Sequence, residues 1–136
     1  MKIFCCVAAL LMFGMFDADG REGARGRVET FELKPGREKL IRSAGIRIKL
    51  VEVAEDSRCP QGVNCIWAGN VRVVLRIKAH GRSTRLEKLN SATEPMALAL
   101  KGRRLSISKV SPSKLNDQKI KPEDYIVTLT LSAPPK

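Results

Sequence analysis

From residue 28 onward, apolar and polar positions alternate with a period of two, the spacing that puts successive side chains on opposite faces of an extended strand. Val28-Glu29-Thr30-Phe31-Glu32-Leu33 opens the pattern, and Lys34-Pro35-Gly36 closes it with turn chemistry. Ile46-Arg47-Ile48-Lys49-Leu50 alternates cleanly; Val51-Glu52-Val53 then continues in the opposite phase, which predicts a bulge near Leu50–Val51. Val71 to Ala79 is the clearest strand, with Val71, Val73, Leu75, Ile77 and Ala79 on one face and Arg72, Arg76 and Lys78 on the other. A turn at His80-Gly81-Arg82 leads into a weaker return strand, Ser83 to Leu89. Met96 to Leu100 and Arg103 to Val110, separated by Lys101-Gly102, predict a hairpin. Ser111 to Glu123 is a polar loop, and residues 125–131 form the last strand before Pro134-Pro135 ends pairing. No stretch shows helical periodicity. About seven short strands at roughly ten-residue spacing predict an all-β chain, a single antiparallel β-sandwich or small barrel.

The first twenty residues stand outside that pattern. Lys2, the apolar run Ile3 to Phe16 and the small-residue step Ala18-Asp19-Gly20 have the form of a secretory signal peptide, cut after Gly20 to within about two residues. The run is shorter than the roughly 20 residues that span a bilayer, and Asp17 and Asp19 follow it, so no transmembrane anchor is expected after cleavage. Cys5 and Cys6 would leave with it. Residues 21–27, REGARGR, read as a flexible leader, and residues 28–133 as one domain with a modest core.

Charge narrows the class of partner. The 25 Lys and Arg against 14 Asp and Glu give a formal net charge of +11. Loss of Lys2, Asp17 and Asp19 would raise it by one more. A basic secreted protein is drawn to anionic envelope polymers or lipid headgroups. The candidate anion-binding face is the outward set Arg72, Arg76 and Lys78 with Arg47 and Lys49 on the neighbouring strand; Arg82, Arg85, Arg103 and Arg104 are possible additions, and scattered solvated charge is the plain alternative. Nucleic acid is disfavoured because Phe31, Trp67 and Tyr125 are expected in the core, which leaves no platform for base stacking.

The densest chemistry lies in residues 55–70, EDSRCPQGVNCIWAGN. Cys59 and Cys65 are the cysteines that remain after processing, and an even count in an oxidising compartment predicts a disulfide with no free thiol. Pro60 and Gly62 suit a tight turn inside the ring. So small a ring contributes roughly 2–2.5 kcal/mol by chain entropy, so it shapes the connection between strands more than it holds the domain. Asp56 is expected to accept N–H bonds from Arg58 or Cys59, or to pair with the Arg58 side chain. Trp67 is expected to pack against the disulfide as part of the core, and Gly69 to take a conformation other residues resist. DSRCP followed by CIWAGN and a basic alternating strand resembles small secreted bacterial β-proteins that carry a DSRCP…CxWAG signature. The resemblance is specific across Asp56 to Val73 and pattern-level elsewhere. It implies a bacterial envelope or extracellular β-protein, periplasmic or released, and carries over nothing catalytic.

Catalytic signatures are missing from the sequence. There is one histidine, His80, at a strand-end turn, with no G-x-S-x-G, no phosphate-cradling glycine loop and no H-E-x-x-H. The Cys59–Cys65 spacing is wider than a redox Cys-x-x-Cys or a common zinc-finger pair, and Glu55-Asp56 lacks the run of oxygen ligands that calcium needs. No metal or cofactor is expected. The sequence therefore predicts a non-catalytic binding or envelope-associated module. One alternative is an inhibitor or accessory protein whose Cys59–Cys65 loop, topped by Gln61, Gly62, Val63 and Asn64, engages a partner protein. A periplasmic metal-binding protein using Cys59, Cys65, Asp56 and His80 is a further one.

Overall fold

A computed structural model describes residues 27–116 and 118–133; the predicted signal peptide and all of the leader except Arg27 lie outside the described residues. Eight strands follow in order: β1 (Glu29–Leu33), β2 (Glu38–Ile41), β3 (Ile46–Asp56), β4 (Val71–Ala79), β5 (Arg85–Asn90), β6 (Ala97–Leu100), β7 (Arg103–Ser111) and β8 (Ile126–Ser132). They form two four-stranded antiparallel sheets, ordered β1-β8-β7-β6 and β2-β3-β4-β5. The second sheet is a meander of consecutive strands. The first is the meander β6-β7-β8, with β1 added beside β8. The expected all-β class is found, and of the two architectures it is the open sandwich, not a closed barrel. Among the described residues the only helical turn is the 3-10 segment Pro122–Asp124, and no helix is long and apolar enough to cross a membrane.

Alternation decides which face of each strand is buried. In β4, Val71, Val73, Leu75 and Ile77 are at most 2% exposed, and Val127, Leu129 and Leu131 of β8 are fully buried. Ile46, Ile48 and Leu50 of β3 line the same inner face beside β4, and they form one cluster with the β8 residues of the other sheet, joined by Phe31, Leu33, Leu89 and Leu105. Each fully buried aliphatic side chain contributes about 1.5–3 kcal/mol. The predicted phase change is present as a register shift between Leu50 and Glu52, followed by a second between Val53 and Glu55. These shifts let β3 run on to Asp56, past its predicted end at Val53, and bring Glu55 and Asp56 opposite Arg72 and Val71.

β2 is the strand that the sequence pattern does not predict. Of Glu38-Lys39-Leu40-Ile41 only Ile41 is buried, and Leu40 faces solvent, so no alternation marks it. It is a strand because β3 offers an edge: Glu38 pairs with Lys49 and Ile41 with Ile46.

The burial pattern predicts that Leu129→Ala costs about 2–5 kcal/mol, whereas Leu86→Ala, at a position 62% exposed, stays within about 0.5 kcal/mol of wild type. Urea denaturation of both variants checks this; equal losses would contradict the assignment of faces.

Candidate functional site

The chain leaves the second sheet at Asp56 and returns at Val71, and the connecting loop is held at its base by Asp56 and Arg58. Arg58 donates to the Asp56 carboxylate from Nε (2.8 Å, to Oδ1), from Nη2 (2.7 Å, to Oδ2) and from its backbone N–H (3.2 Å, to Oδ1). Both expected roles of Asp56, turn acceptor and ion-pair partner, are thus filled at once. The hydroxyl of Tyr125, the residue that precedes β8, donates to Oδ2 at 3.0 Å. The same guanidinium crosses to the other sheet, where Nη1 donates to the Val110 carbonyl at 2.7 Å and Nη2 to that of Pro112 at 3.0 Å. Lys114 Nζ donates to the backbone oxygen of Asp56 at 3.2 Å, and the Gln61 N–H donates to the Lys114 carbonyl at 2.9 Å.

This arrangement moves three titrations. Partial burial pushes the Asp56 carboxyl up, but the hydrogen bonds from the Arg58 side chain and backbone and from Tyr125 outweigh it, and Asp56 ends below the usual carboxylate range. Donation to Asp56 raises Arg58 above an ordinary guanidinium. Burial, and then the bond to Asp56, push the Tyr125 hydroxyl up to about 12.

A second anchor sits where the loop rejoins the sheet. The Ser57 N–H donates to the Asn70 carbonyl at 2.8 Å, and the Asn70 N–H donates to Ser57 Oγ at 2.9 Å. Asn70, 6% exposed, turns its amide toward the end of β5. Its Nδ2 donates to Asn90 Oδ1 at 3.0 Å, and its Oδ1 accepts the backbone N–H groups of Ser91 (3.2 Å) and Ala92 (3.1 Å). Beside this neck Gly69 has φ +73°, and a Cβ there would lie 2.1 Å from the Ser57 carbonyl oxygen. Glycine is needed at 69 for space as well as for φ. Gly62, at φ +79° inside the ring, has open space around it.

Cys59 and Cys65 are bonded, with their Cα atoms 5.9 Å apart, as the even cysteine count predicts. Pro60 accepts the Val63 N–H within the ring at 3.3 Å. Beyond it the loop stays in solvent, Ile66 90% and Trp67 81% exposed, while Val63 inside the ring and Leu115 on the neighbouring β7–β8 connection are about half exposed. Trp67 therefore does not pack on the disulfide as a core residue, and that expectation is corrected. Alternating residues from both sheets already fill the core. The loop is held by polar contacts at its base, so it needs no apolar wall, and it provides none for the indole. Phe31 and Tyr125 are buried as expected.

The five basic residues singled out in the sequence share the outer face of the second sheet. Arg47 stands opposite Lys78, and Lys49 opposite Arg76. Arg47 pairs with Glu38 at 3.1 Å. Arg72 sits apart near the loop, engaged with Glu55 at 3.0 Å and donating from Nε to Asn90 Oδ1 at 3.1 Å. Lys49, Arg76 and Lys78 have no ion pair among the described residues. Arg85 is taken up by Glu87 at 3.2 Å and Arg103 by Glu29 at 3.4 Å. Cys59, Cys65, Asp56 and His80 are not brought together: the sulfurs are bonded to each other, Asp56 is held by Arg58 and Tyr125, and His80 follows the opposite end of β4. Ile66, the Asn70–Asn90 pair and the Tyr125–Asp56 bond went unmarked in the sequence, which offers no periodic or motif signal for any of them. Comparison with protein-family models, curated proteins and solved structures gives no match for this chain.

Tyr125 is the only tyrosine, so an absorbance titration reports on it alone. Its ionisation in the folded protein is expected near about 12, against about 10 in the unfolded chain. Because the folded value is raised, the stability it contributes is complete below about pH 10 and is lost as pH rises through about 12. A midpoint near 10 with the β-sheet circular dichroism intact would rule out the bond to Asp56.

The neck geometry also orders two glycine variants. Gly69→Ala is expected to lower the melting temperature clearly more than Gly62→Ala, because both carry the left-handed strain but only the first forces its Cβ into a backbone carbonyl. Equal shifts in a thermal melt would show that the close approach at Ser57 relaxes freely.

Proposed function

We propose that the protein is a secreted, non-catalytic binding module that recognises a partner protein through the exposed pair Ile66–Trp67 that follows its disulfide ring. Secretion is supported by the N-terminal signal pattern and by a disulfide, which suits an oxidising compartment. The observation that carries the recognition role is the adjacent pair Ile66 and Trp67, 90% and 81% exposed on a loop anchored by the Arg58–Asp56 pair, the disulfide and the Asn70–Asn90 contact. Leaving that much apolar surface in water forgoes about 25 cal/mol for every Å². Exposed apolar groups on a rigid support mark interaction sites, and tryptophan is among the residues most enriched at binding hot spots. A loop already ordered loses little conformational entropy on docking.

The residues shared with the DSRCP…CxWAG signature divide by role in this reading. Asp56, Arg58, Cys59, Cys65 and Gly69 hold the loop, and Trp67 is what they present. The complementary surface is a concave apolar pocket with an acceptor for the indole N–H. An inhibitor or accessory protein whose loop enters a partner's cleft is one form of this module.

Trp67→Ala is the direct test. The variant is expected to melt within about 2 °C of wild type, since surface substitutions change stability by no more than about 0.5 kcal/mol, and to lose at least about tenfold in affinity for the partner isolated on the wild-type protein, in line with a hot-spot residue. Trp67 is the only tryptophan, so its emission should shift to the blue when that partner is added. A variant that melts several degrees lower, or emission that shifts with lipid vesicles instead of protein, would overturn this reading.

A further inference from the structure

At the end of the β3–β4 pair away from the loop lies an open depression of about 410 Å³, lined by Arg47, Lys78, His80 and Arg82 with Leu40 and Ala79 as its apolar wall. Two turns build it, one between β2 and β3 and one between β4 and β5. The His80 N–H donates across to the Gly45 carbonyl at 3.1 Å and ties the turns together, and the Arg82 N–H closes the second turn on the Ala79 carbonyl at 3.1 Å. The cations are thus carried on paired strands and hydrogen-bonded turns.

Their placement is unfavourable for the protein alone. Arg47 faces Lys78 directly, and Lys49 faces Arg76 two residues further along, about 7 Å away at the strand rise. Like charges opposite each other destabilise a sheet, and here two such pairs stand side by side. Glu38 offsets one cation through its 3.1 Å contact with Arg47, whereas Lys78 and Arg82 have no ion pair among the described residues. Three permanent cations against one carboxylate leave an excess of two positive charges in the depression.

We propose that this depression binds a terminal phosphate group whose carrier runs outward over Lys49 and Arg76. A phosphate monoester carries about −1.5 to −2 at pH 7, which matches the excess; a lone carboxylate brings half as much. The guanidinium forks of Arg47 and Arg82 can each give two N–H donors to phosphate oxygens, and Lys78 and His80 add single donors. Among the described residues this face carries no phenylalanine, tyrosine or tryptophan: Phe31 and Tyr125 are buried, and Trp67 lies on the loop at the other end, so His80 is its one aromatic ring. A strand-tracking nucleic-acid groove uses successive large aromatic platforms, and one imidazole does not supply them, so the phosphate carrier favoured here is not a nucleic acid. The site stands independently of the loop reading.

Calorimetric titration with inorganic pyrophosphate tests it, with citrate as a polyanion of comparable charge built from carboxylates. Lys78→Ala with Arg82→Ala should weaken pyrophosphate binding at least about tenfold and flatten its dependence on salt. The pair Arg104→Ala with Lys109→Ala, on the other sheet, should change it less than twofold, and Trp67→Ala should not change it. Removing Lys78 relieves repulsion, so the first variant should melt no lower than wild type. Wild type should prefer pyrophosphate to citrate at least tenfold. Equal losses in the two double variants, citrate binding as tight as pyrophosphate, no pyrophosphate binding at low salt, or tighter binding of single-stranded DNA through Lys78 and Arg82 would each overturn the proposal.

Discussion

Arg58 joins three parts of the molecule that the backbone alone leaves separate. Its guanidinium lies between the Asp56 carboxylate at the end of β3 and the carbonyls of Val110 and Pro112 at the end of β7, while Tyr125 closes over the same carboxylate from the start of β8. The pair is largely shielded, with side-chain exposures of 20% for Arg58 and 8% for Asp56. Removing one member of a buried pair typically costs about 3–5 kcal/mol, because the partner left behind is a charge without compensation. This contact fixes how the open end of the second sheet sits on the first, at a place where the apolar core has already ended.

Because the loop is held by charge and by hydrogen bonds, its tip is released from any structural duty. The disulfide closes a ring too small to cross-link distant parts of the fold, and its effect is to reduce the shapes available to residues 59–65. The Asn70–Asn90 pair and the tight neck at Gly69 do the same for the return path. Ile66 and Trp67 are left exposed between these anchors.

The β3–β4 pair carries both surfaces with chemical potential, one at each end. Its inner face is spent on the core, Ile46, Ile48 and Leu50 against Val73, Leu75 and Ile77, and its outer face is free for charge. Near the loop that charge is neutralised, Arg72 by Glu55. At the far end Glu38 offsets Arg47 alone, and the two turns tied by the His80–Gly45 bond border the open depression where Lys78 and Arg82 have no ion pair among the described residues. The exposed apolar pair Ile66–Trp67 and the cationic depression are thereby kept about a strand length apart, about 30 Å for nine residues.

What could be read from the sequence was local. Alternation over a few residues identifies β4 with its two faces, the alternating first half of β3 and the phase change after Leu50, because the pleat places neighbouring side chains on opposite sides whatever the rest of the chain does, and turn residues mark Lys101-Gly102. The Cys59–Cys65 bond and the Asp56–Arg58 turn were legible for the same reason, since their partners are six and two residues apart. The features that only the tertiary structure decided involve partners far along the chain. β2 exists because β3 offers it an edge, Asp56 meets Tyr125 across 69 positions, and Asn70 meets Asn90 across 20. Trp67 shows the limit most clearly: its chemistry favours burial, but burial requires a wall of apolar neighbours, and the fold places none beside that loop.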